Sequence, residues 1–338
     1  MRGFFGGLIL AAIGLCMTNI AQAADAPAQP ERPGLAANAD LAGRKKIVFV
    51  SGHPSHGYAQ HEHYAGCMLL AKCLNENVPQ VYAEVYKHEW PADPKAFDGA
   101  AAIVLYCDGG AGHIAIKHLE QLGELMDKGV GLGCIHYAVE VPKGEVGDDF
   151  LKWTGGYFET FHSINPTWTA DFKEYPQHET ASGVKPFTTH DEWYYHMRFR
   201  ENMQGVTELL HAVPPDSTRQ HKDDAHGGNP EIRDGIGKNL QETTLWVSER
   251  ANNGRGFGCT GGHYHFNWGS DNFRKAVLNS IVWIAHVEVP KDGVQTKPLT
   301  VDDLLANLDP KKVDEKMKDA LPQRLIEMNG TPAAAAGK

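Results

Sequence analysis

Two stretches of this chain place imidazoles two residues apart. His263 and His265 stand in GGHYHFNW, and His61 and His63 in QHEHY. Side chains repeat every two residues on an extended strand, so His263 and His265 share a face if their segment is extended. His61 and His63 do so only in an extended loop, because on a helix such a pair diverges. Two imidazoles on one face can begin a divalent metal site, but three or four ligands are needed. His56, Asp191 or Glu192 would complete it. A divalent metal is therefore an open alternative, with His56, His263 and His265 as candidate ligands, beside a polar pocket of hydrogen-bonding histidines; no other cofactor is indicated.

The densest polar and aromatic stretch is His190-Asp191-Glu192-Trp193-Tyr194-Tyr195-His196. A carboxylate beside imidazoles makes a general acid/base pair working near neutral pH. Trp193, Tyr194 and Trp268 offer rings that stack on the apolar face of a sugar and polar edges that hydrogen-bond to it. The competing reading buries these aromatics in the core and uses Asp191 to cap a turn. Gly133-Cys134-Ile135-His136 has the form of a turn that presents a nucleophile in α/β enzymes. Strand alternation sets Cys134 two residues inside the end and His136 nearer the exposed turn, so Cys134 reads as a buried thiol.

These residues need a frame, and the hydrophobic pattern supplies one. Apolar runs at residues 46–51, 81–86, 101–106 and 130–135 read as buried strands. Between them Tyr64, Cys67, Met68, Ala71 and Leu74, and then Leu119, Leu122, Leu125 and Met126, have helical spacing. Alternating strands and helices with apolar strands predict an α/β fold with a mostly parallel sheet covered on both faces. Ligands of such sheets sit beyond the carboxyl ends of the strands. His53, His56, His113 and His136 all fall there. Further strands are expected at 167–172, 206–213 and 243–249, a last strand with a Gly-rich turn over 256–262, and helices from Ser270 to about 284 and over 301–308. The polar stretch 214–242 reads as a functional cover or an insert.

Composition narrows the class. Among 338 residues are 18 histidines, more than the 13 Phe or 11 Tyr, and the formal charge is −10. An acidic balance argues against a nucleic-acid partner. Residues 1–23, with Arg2, a short apolar run and Ala21-Gln22-Ala23, read as a secretory signal peptide rather than a membrane anchor. Export to the periplasm or outside the cell follows. Residues 24–43 read as a flexible lead-in, 44–290 as the domain and 291–338 as a C-terminal extension. The five cysteines after residue 23 form no CxxC pair and read mostly as buried small hydrophobes. Nothing in the pattern specifies an oligomeric state.

Five segments in order carry a family resemblance: Ser55-His56-Gly57, Cys134-Ile135-His136-Tyr137-Ala138, Gly155-Gly156-Tyr157-Phe158 with His162, Asp191-Glu192-Trp193-Tyr194, and Gly262-His263. Across residues 46–287 the chain resembles the ThuA-like (trehalose-utilisation) proteins of the class I glutamine amidotransferase-like superfamily. The resemblance implies a flavodoxin-like fold, with His136 at the elbow where amidotransferases carry a nucleophilic cysteine. An imidazole does not replace an activated thiolate, which argues against glutamine hydrolysis. It also implies metabolism of disaccharides and their 3-keto derivatives. The resulting expectation is an exported hydrolase, lyase or isomerase acting on a glycoside or keto-sugar. His56, His136, Glu192 and His263 would transfer protons, while His162, Asp191, Trp193, Tyr194 and Trp268 bind the small-molecule carbohydrate. The alternatives are a metal-dependent hydrolase and a non-catalytic carbohydrate-binding protein.

Overall fold

The structure is a computed structural model that describes residues 29–330, with Met1 and Gly3. Apart from those two, the leader expected over residues 1–23 and the first part of the lead-in lie outside the described residues.

The first half alternates as the apolar spacing demands: β1 (Lys45–Ser51), α1 (His63–Asn77), β2 (Val81–Tyr86), β3 (Ala100–Tyr106), α2 (Leu119–Asp127), β4 (Gly131–Ile135) and α3 (Glu145–Thr154). The second half adds β5 (Gly156–Tyr157), β6 (Trp168–Phe172), β7 (Phe187–Asp191), β8 (Arg198–Phe199), β9 (Val206–Ala212), α4 (Pro230–Asp234), β10 (Glu242–Glu249), β11 (Arg255–Cys259) and α5 (Asp271–Ile284). Short helices α6 (Val301–Leu305), α7 (Glu315–Asp319) and α8 (Leu321–Asn329) follow.

Seven strands form one sheet in the order β2-β1-β3-β4-β11-β10-β9. The pairs from β2 to β11 are parallel, and β10 runs antiparallel to both of its neighbours. The sheet is thus mostly parallel and flavodoxin-like. Because strand side chains alternate, Ile47 and Phe49 face one layer while Val48 and Val50 face the other. The first layer holds α1 and α5 through Leu70, Leu74, Val277 and Ile281. The second holds α2 and α3 through Leu122, Met126, Phe150 and Trp153. Gly66 lets α1 settle on the sheet, since a Cβ there would lie 2.5 Å from the Tyr106 ring.

Several elements escaped the sequence pattern, α3 and β7 among them. Residues 145–154 form α3, and Phe187–Asp191 is a strand paired with β6, outside the main sheet. The last strand and Gly-rich turn expected over 256–262 appear as β11, which stops at Cys259, and the glycines that turn the chain after it.

Residues 291–330 pack back on the domain. Leu304 and Leu321 are buried with α5. The Asp309 N–H donates to Glu62 Oε2 at 2.7 Å, and Lys311 Nζ lies 3.2 Å from Glu62 Oε1 while donating to the Gln60 carbonyl. Glu62 is fully buried, and burial raises its pKa against the opposing pull of Asp309 N–H and Lys311. The C-terminal segment therefore supplies the cation for a carboxyl group adjacent to His61. Breaking a buried pair by removing one partner costs about 3–5 kcal/mol. Lys311→Met is expected to lose stability in that range by chemical denaturation. The loss should deepen as pH rises, because only the protonated Glu62 tolerates the unpaired site.

Candidate metal centre at the strand ends

The loops after β1, β3, β4 and β11 meet at one end of the sheet, beside the point where the strand order reverses between β1 and β3. Each contributes at least one group. β1 leads to His56 and His61, and β3 leads to Asp108. β4 ends at His136, and β11 leads through Gly261 and Gly262 to His263. From outside the sheet, β7 delivers Glu192. His56, His61 and His136 have φ values of 61°, 46° and 55°, in the left-handed region that non-glycine residues seldom occupy. At His136 this makes the sharp strand-to-turn elbow expected from the sequence. Strain of this kind costs about 1–3 kcal/mol and collects at functional sites.

Four donor atoms converge. His61 Nε2 lies 3.1 Å from His263 Nδ1 and 3.1 Å from His136 Nε2. Glu192 Oε2 lies 3.1 Å from His263 Nδ1 and 3.5 Å from His136 Nε2. Ligands about 2.1 Å from a metal ion stand about 3.0 Å apart on an octahedral edge and about 3.4 Å apart on a tetrahedral one. The observed spacings fit those edges.

The outer nitrogens decide what the inner ones can do. His61 Nδ1 is 2.6 Å from Asp108 Oδ1, and the carboxylate accepts its proton. His136 Nδ1 donates to the Thr260 carbonyl at 2.8 Å. With Nδ1 so committed on both rings, the two Nε2 atoms face each other at 3.1 Å. Burial and the surrounding histidines drive the His61 pKa far down, so this ring is neutral. A lone pair on His61 Nε2 accepts one hydrogen bond along its axis, yet two imidazole nitrogens approach it. One cation satisfies the whole set. Carboxylate–histidine pairs such as Asp108–His61 are the usual outer support of a metal ligand. Burial opposes ionisation of Glu192, but its closeness to His136 and His263 outweighs that and holds the carboxyl below its usual range.

Of the residues singled out from sequence, His136, Glu192 and His263 are brought together, and His56 stacks on His61 at 3.6 Å between centroids. Burial lowers the His56 pKa, partly opposed by Asp108. Ser55 Oγ bridges the two rings, 3.0 Å from His56 Nδ1 and 3.3 Å from His61 Nδ1. His61 itself, at the centre, was named only as a conditional pair with His63. His63 instead donates Nδ1–H to the His53 carbonyl, and Asp108 went unnoticed although it follows a predicted strand.

The other expectations need correction. His265 does not join His263, because the chain after Gly262 enters a short 3-10 turn rather than a strand. Its buried ring is pushed down to about 3 by desolvation. Trp193 and Trp268 are fully buried, so neither presents a face to a sugar. Trp193 packs on Phe172 and Phe273, and Trp268 stacks on Phe273 at 4.9 Å. Tyr194 is buried too, with its hydroxyl 3.2 Å from His136 Nε2. Asp191 positions rather than binds: its carboxylate accepts from the N–H groups of Glu192, Gly262 and Tyr264 and from Asn267 Nδ2. It thereby locks β7 to the loop carrying His263. His162 lies with His196 and Glu231 instead. Cys134 is buried in the sheet, and desolvation raises its thiol well above the usual value. Together with Cys67, Cys73, Cys107 and Cys259, it is a free, buried thiol.

Residues 46–284 match the sequence profile of the family described as ThuA, trehalose utilisation. The chain belongs to the ThuA family. Among solved structures, a putative ThuA-like protein from Bacteroides uniformis ATCC 8492 superposes with a TM-score of 0.51 at 14% identity, covering 74% of this chain and 94% of the other. One from Parabacteroides merdae ATCC 43184 gives 0.47 at 12%, covering 75% and 92%. No curated protein sequence matches the chain. ThuA-like proteins have a class I glutamine amidotransferase-like fold, and the mostly parallel sheet described above agrees with it.

One strand-end histidine of this ThuA-family chain is structural. His113 accepts from the Ala115 N–H at Nδ1 and faces the Ala138 carbonyl with Nε2, so its buried ring must be neutral. Burial pushes its pKa down to about 4. The unfolded chain binds this proton below pH 6.5 and the folded chain does not, so stability is lost as pH falls from 6.5 to about 4. His113→Gln should flatten that acid limb by up to about 3 kcal/mol, read from urea denaturation at pH 7 and pH 4.5.

Proposed function

We propose that this protein is an exported, divalent-metal-dependent enzyme acting on a glycoside or keto-sugar. The observation that carries the reading is the convergence of His61, His136, His263 and Glu192, with two outer nitrogens committed to Asp108 and Thr260. Three imidazoles and one carboxylate suit Zn²⁺ or another late first-row ion better than Mg²⁺ or Ca²⁺, which prefer oxygen donors. A bound ion supplies Lewis acidity toward a carbonyl or hydroxyl oxygen of the sugar. The family's description, trehalose utilisation, supports a carbohydrate substrate. The expected leader at residues 1–23 supports export.

His56 is the proton carrier in this reading. It is exposed, lies outside the inner donor set and stacks on a ligand. A ketone acidifies the neighbouring C–H bond. His56 takes that proton, and the electron pair of the broken bond moves toward the ketone oxygen. Collapse of the resulting enolate either expels a substituent on the adjacent carbon or accepts a proton back, giving elimination or isomerisation. Asn165, whose Nδ2 is 3.5 Å from Glu192 Oε1, and the Asp108–His61 pair hold the carboxylate and imidazole in place.

Proton transfer among histidines without a metal is the competing reading, and metal analysis separates the two. Protein purified without chelator should carry an ion at the cluster. His136→Ala/His263→Ala should bind one equivalent fewer than the native chain, and Glu192→Gln should bind it about 10- to 100-fold more weakly. Turnover of 3-keto-glycosides should stop on chelation and return with Zn²⁺ or Ni²⁺. Equal metal content in the native and double-variant proteins, with turnover indifferent to chelator, would sink the metal reading.

A further inference from the structure

A second group of donors lies outside this cluster, where residues 214–242 cross the domain. His162 follows β5, His196 stands between β7 and β8, and Glu231 opens the short α4. We propose that His162, His196 and Glu231 form a second divalent transition-metal site that fastens residues 214–242 to the domain. The proposal stands independently of the reading of the first cluster.

One oxygen serves both rings. Glu231 Oε2 lies 3.2 Å from His196 Nε2 and 3.5 Å from His162 Nδ1. All three donor atoms fall within 4.8 Å of one another, and the ring centroids are 4.4 Å apart. The two oxygen-to-nitrogen spacings fit the same coordination edges as the first cluster. Two imidazoles so close repel when both are protonated, and they compete for a single carboxylate oxygen. One divalent cation satisfies both nitrogens and that oxygen.

The surroundings leave this role open. Arg198, the nearby cation, is committed to Glu159 through Nε and Nη2, and Lys143 is bound to the same carboxylate. Among the described residues, no Lys or Arg pairs with Glu231. The ligand segments are already set by backbone contacts: Asn229 Nδ2 donates to the His162 carbonyl, and the Phe161 N–H donates to the Ala225 carbonyl. An ion would close a loop that hydrogen bonds have shaped. Two imidazoles and a carboxylate favour Zn²⁺, Ni²⁺ or Cu²⁺ over Ca²⁺. The half-exposed setting leaves positions for water.

Zn²⁺ titration by calorimetry, with total metal counted by elemental analysis, tests the site. The native chain should bind two equivalents. His162→Ala/His196→Ala and the single variant Glu231→Gln should each lose one and keep the other. His136→Ala/His263→Ala should lose the opposite one. Zn²⁺ should slow amide hydrogen exchange over residues 225–236 at least threefold in the native chain and not in Glu231→Gln, whose exposed side chain can change without unfolding the protein. If Glu231→Gln and His162→Ala/His196→Ala bind as much Zn²⁺ as the native chain, the second site is overturned. Failure of the first-cluster reading appears separately, as unchanged binding in His136→Ala/His263→Ala.

Discussion

His61 Nε2 has two imidazole nitrogens and a carboxylate oxygen gathered around it, and most of the architecture serves to keep them there. Left alone, neutral rings would rotate so that an N–H met a lone pair. Asp108 and the Thr260 carbonyl prevent this by holding the far nitrogens of His61 and His136 as donors. Both anchors come from strand ends, Asp108 from β3 and Thr260 from β11. The parallel register of β3, β4 and β11 sets their spacing to the histidines. The sheet is therefore the ruler of the cluster, and the loops carry only its variable parts.

Further layers act through this constraint. Asp191 joins the N–H groups of Glu192, Gly262 and Tyr264, so that the carboxylate from β7 and the imidazole after β11 move as one unit. The Tyr106 hydroxyl donates to the Gly262 carbonyl and holds the same loop from beneath. On the other side, Glu62 and Lys311 set the residue after His61 in a buried ion pair supplied by the C-terminal segment. The tryptophans fill the space under these loops. A Cβ at Gly261 would stand 2.2 Å from the Trp193 ring, so that glycine is what allows the loop to rest on it.

Much of this was legible in the residue pattern and some was not, for reasons that are physical. Apolar runs of five to seven residues broken by helical spacing disclosed the parallel half of the sheet, because burial on both faces leaves no alternation to misread. The positions of His56 and His136 followed from the strand ends. Glu192 and His263 came from composition and resemblance, and both lie in the cluster. His61 was undervalued because an i, i+2 pair is informative only when the backbone is known, and His61 sits at φ 46° just before a helix. The same ambiguity made His265 look like a partner of His263. Trp193 and Trp268 looked like sugar platforms because an aromatic beside polar residues has the same sequence whether it faces solvent or glycine. Asp191 suggests binding from sequence, yet its carboxylate reaches the distant N–H groups of Gly262 and Tyr264, which no local spacing reveals.

The elbow explains why the chemistry moves away from that of the amidotransferase fold. A nucleophilic thiolate needs exposure and a nearby positive charge. The cysteine here lies two residues before the elbow, inside a strand flanked by β3 and β11, where desolvation keeps it protonated. The elbow position carries His136, whose Nδ1 holds the Thr260 carbonyl while Nε2 points into the cluster. In the proposed reading, a divalent ion held by three imidazoles and one carboxylate would place positive charge where an oxyanion could form. That charge would make protonation of His56, stacked on a ligand ring, still less favourable. His56 would then stay in the basic form that the proposed proton abstraction needs, outside the donor set. On that reading the imidazole at the elbow serves the metal cradle and leaves room for a separate acid/base residue.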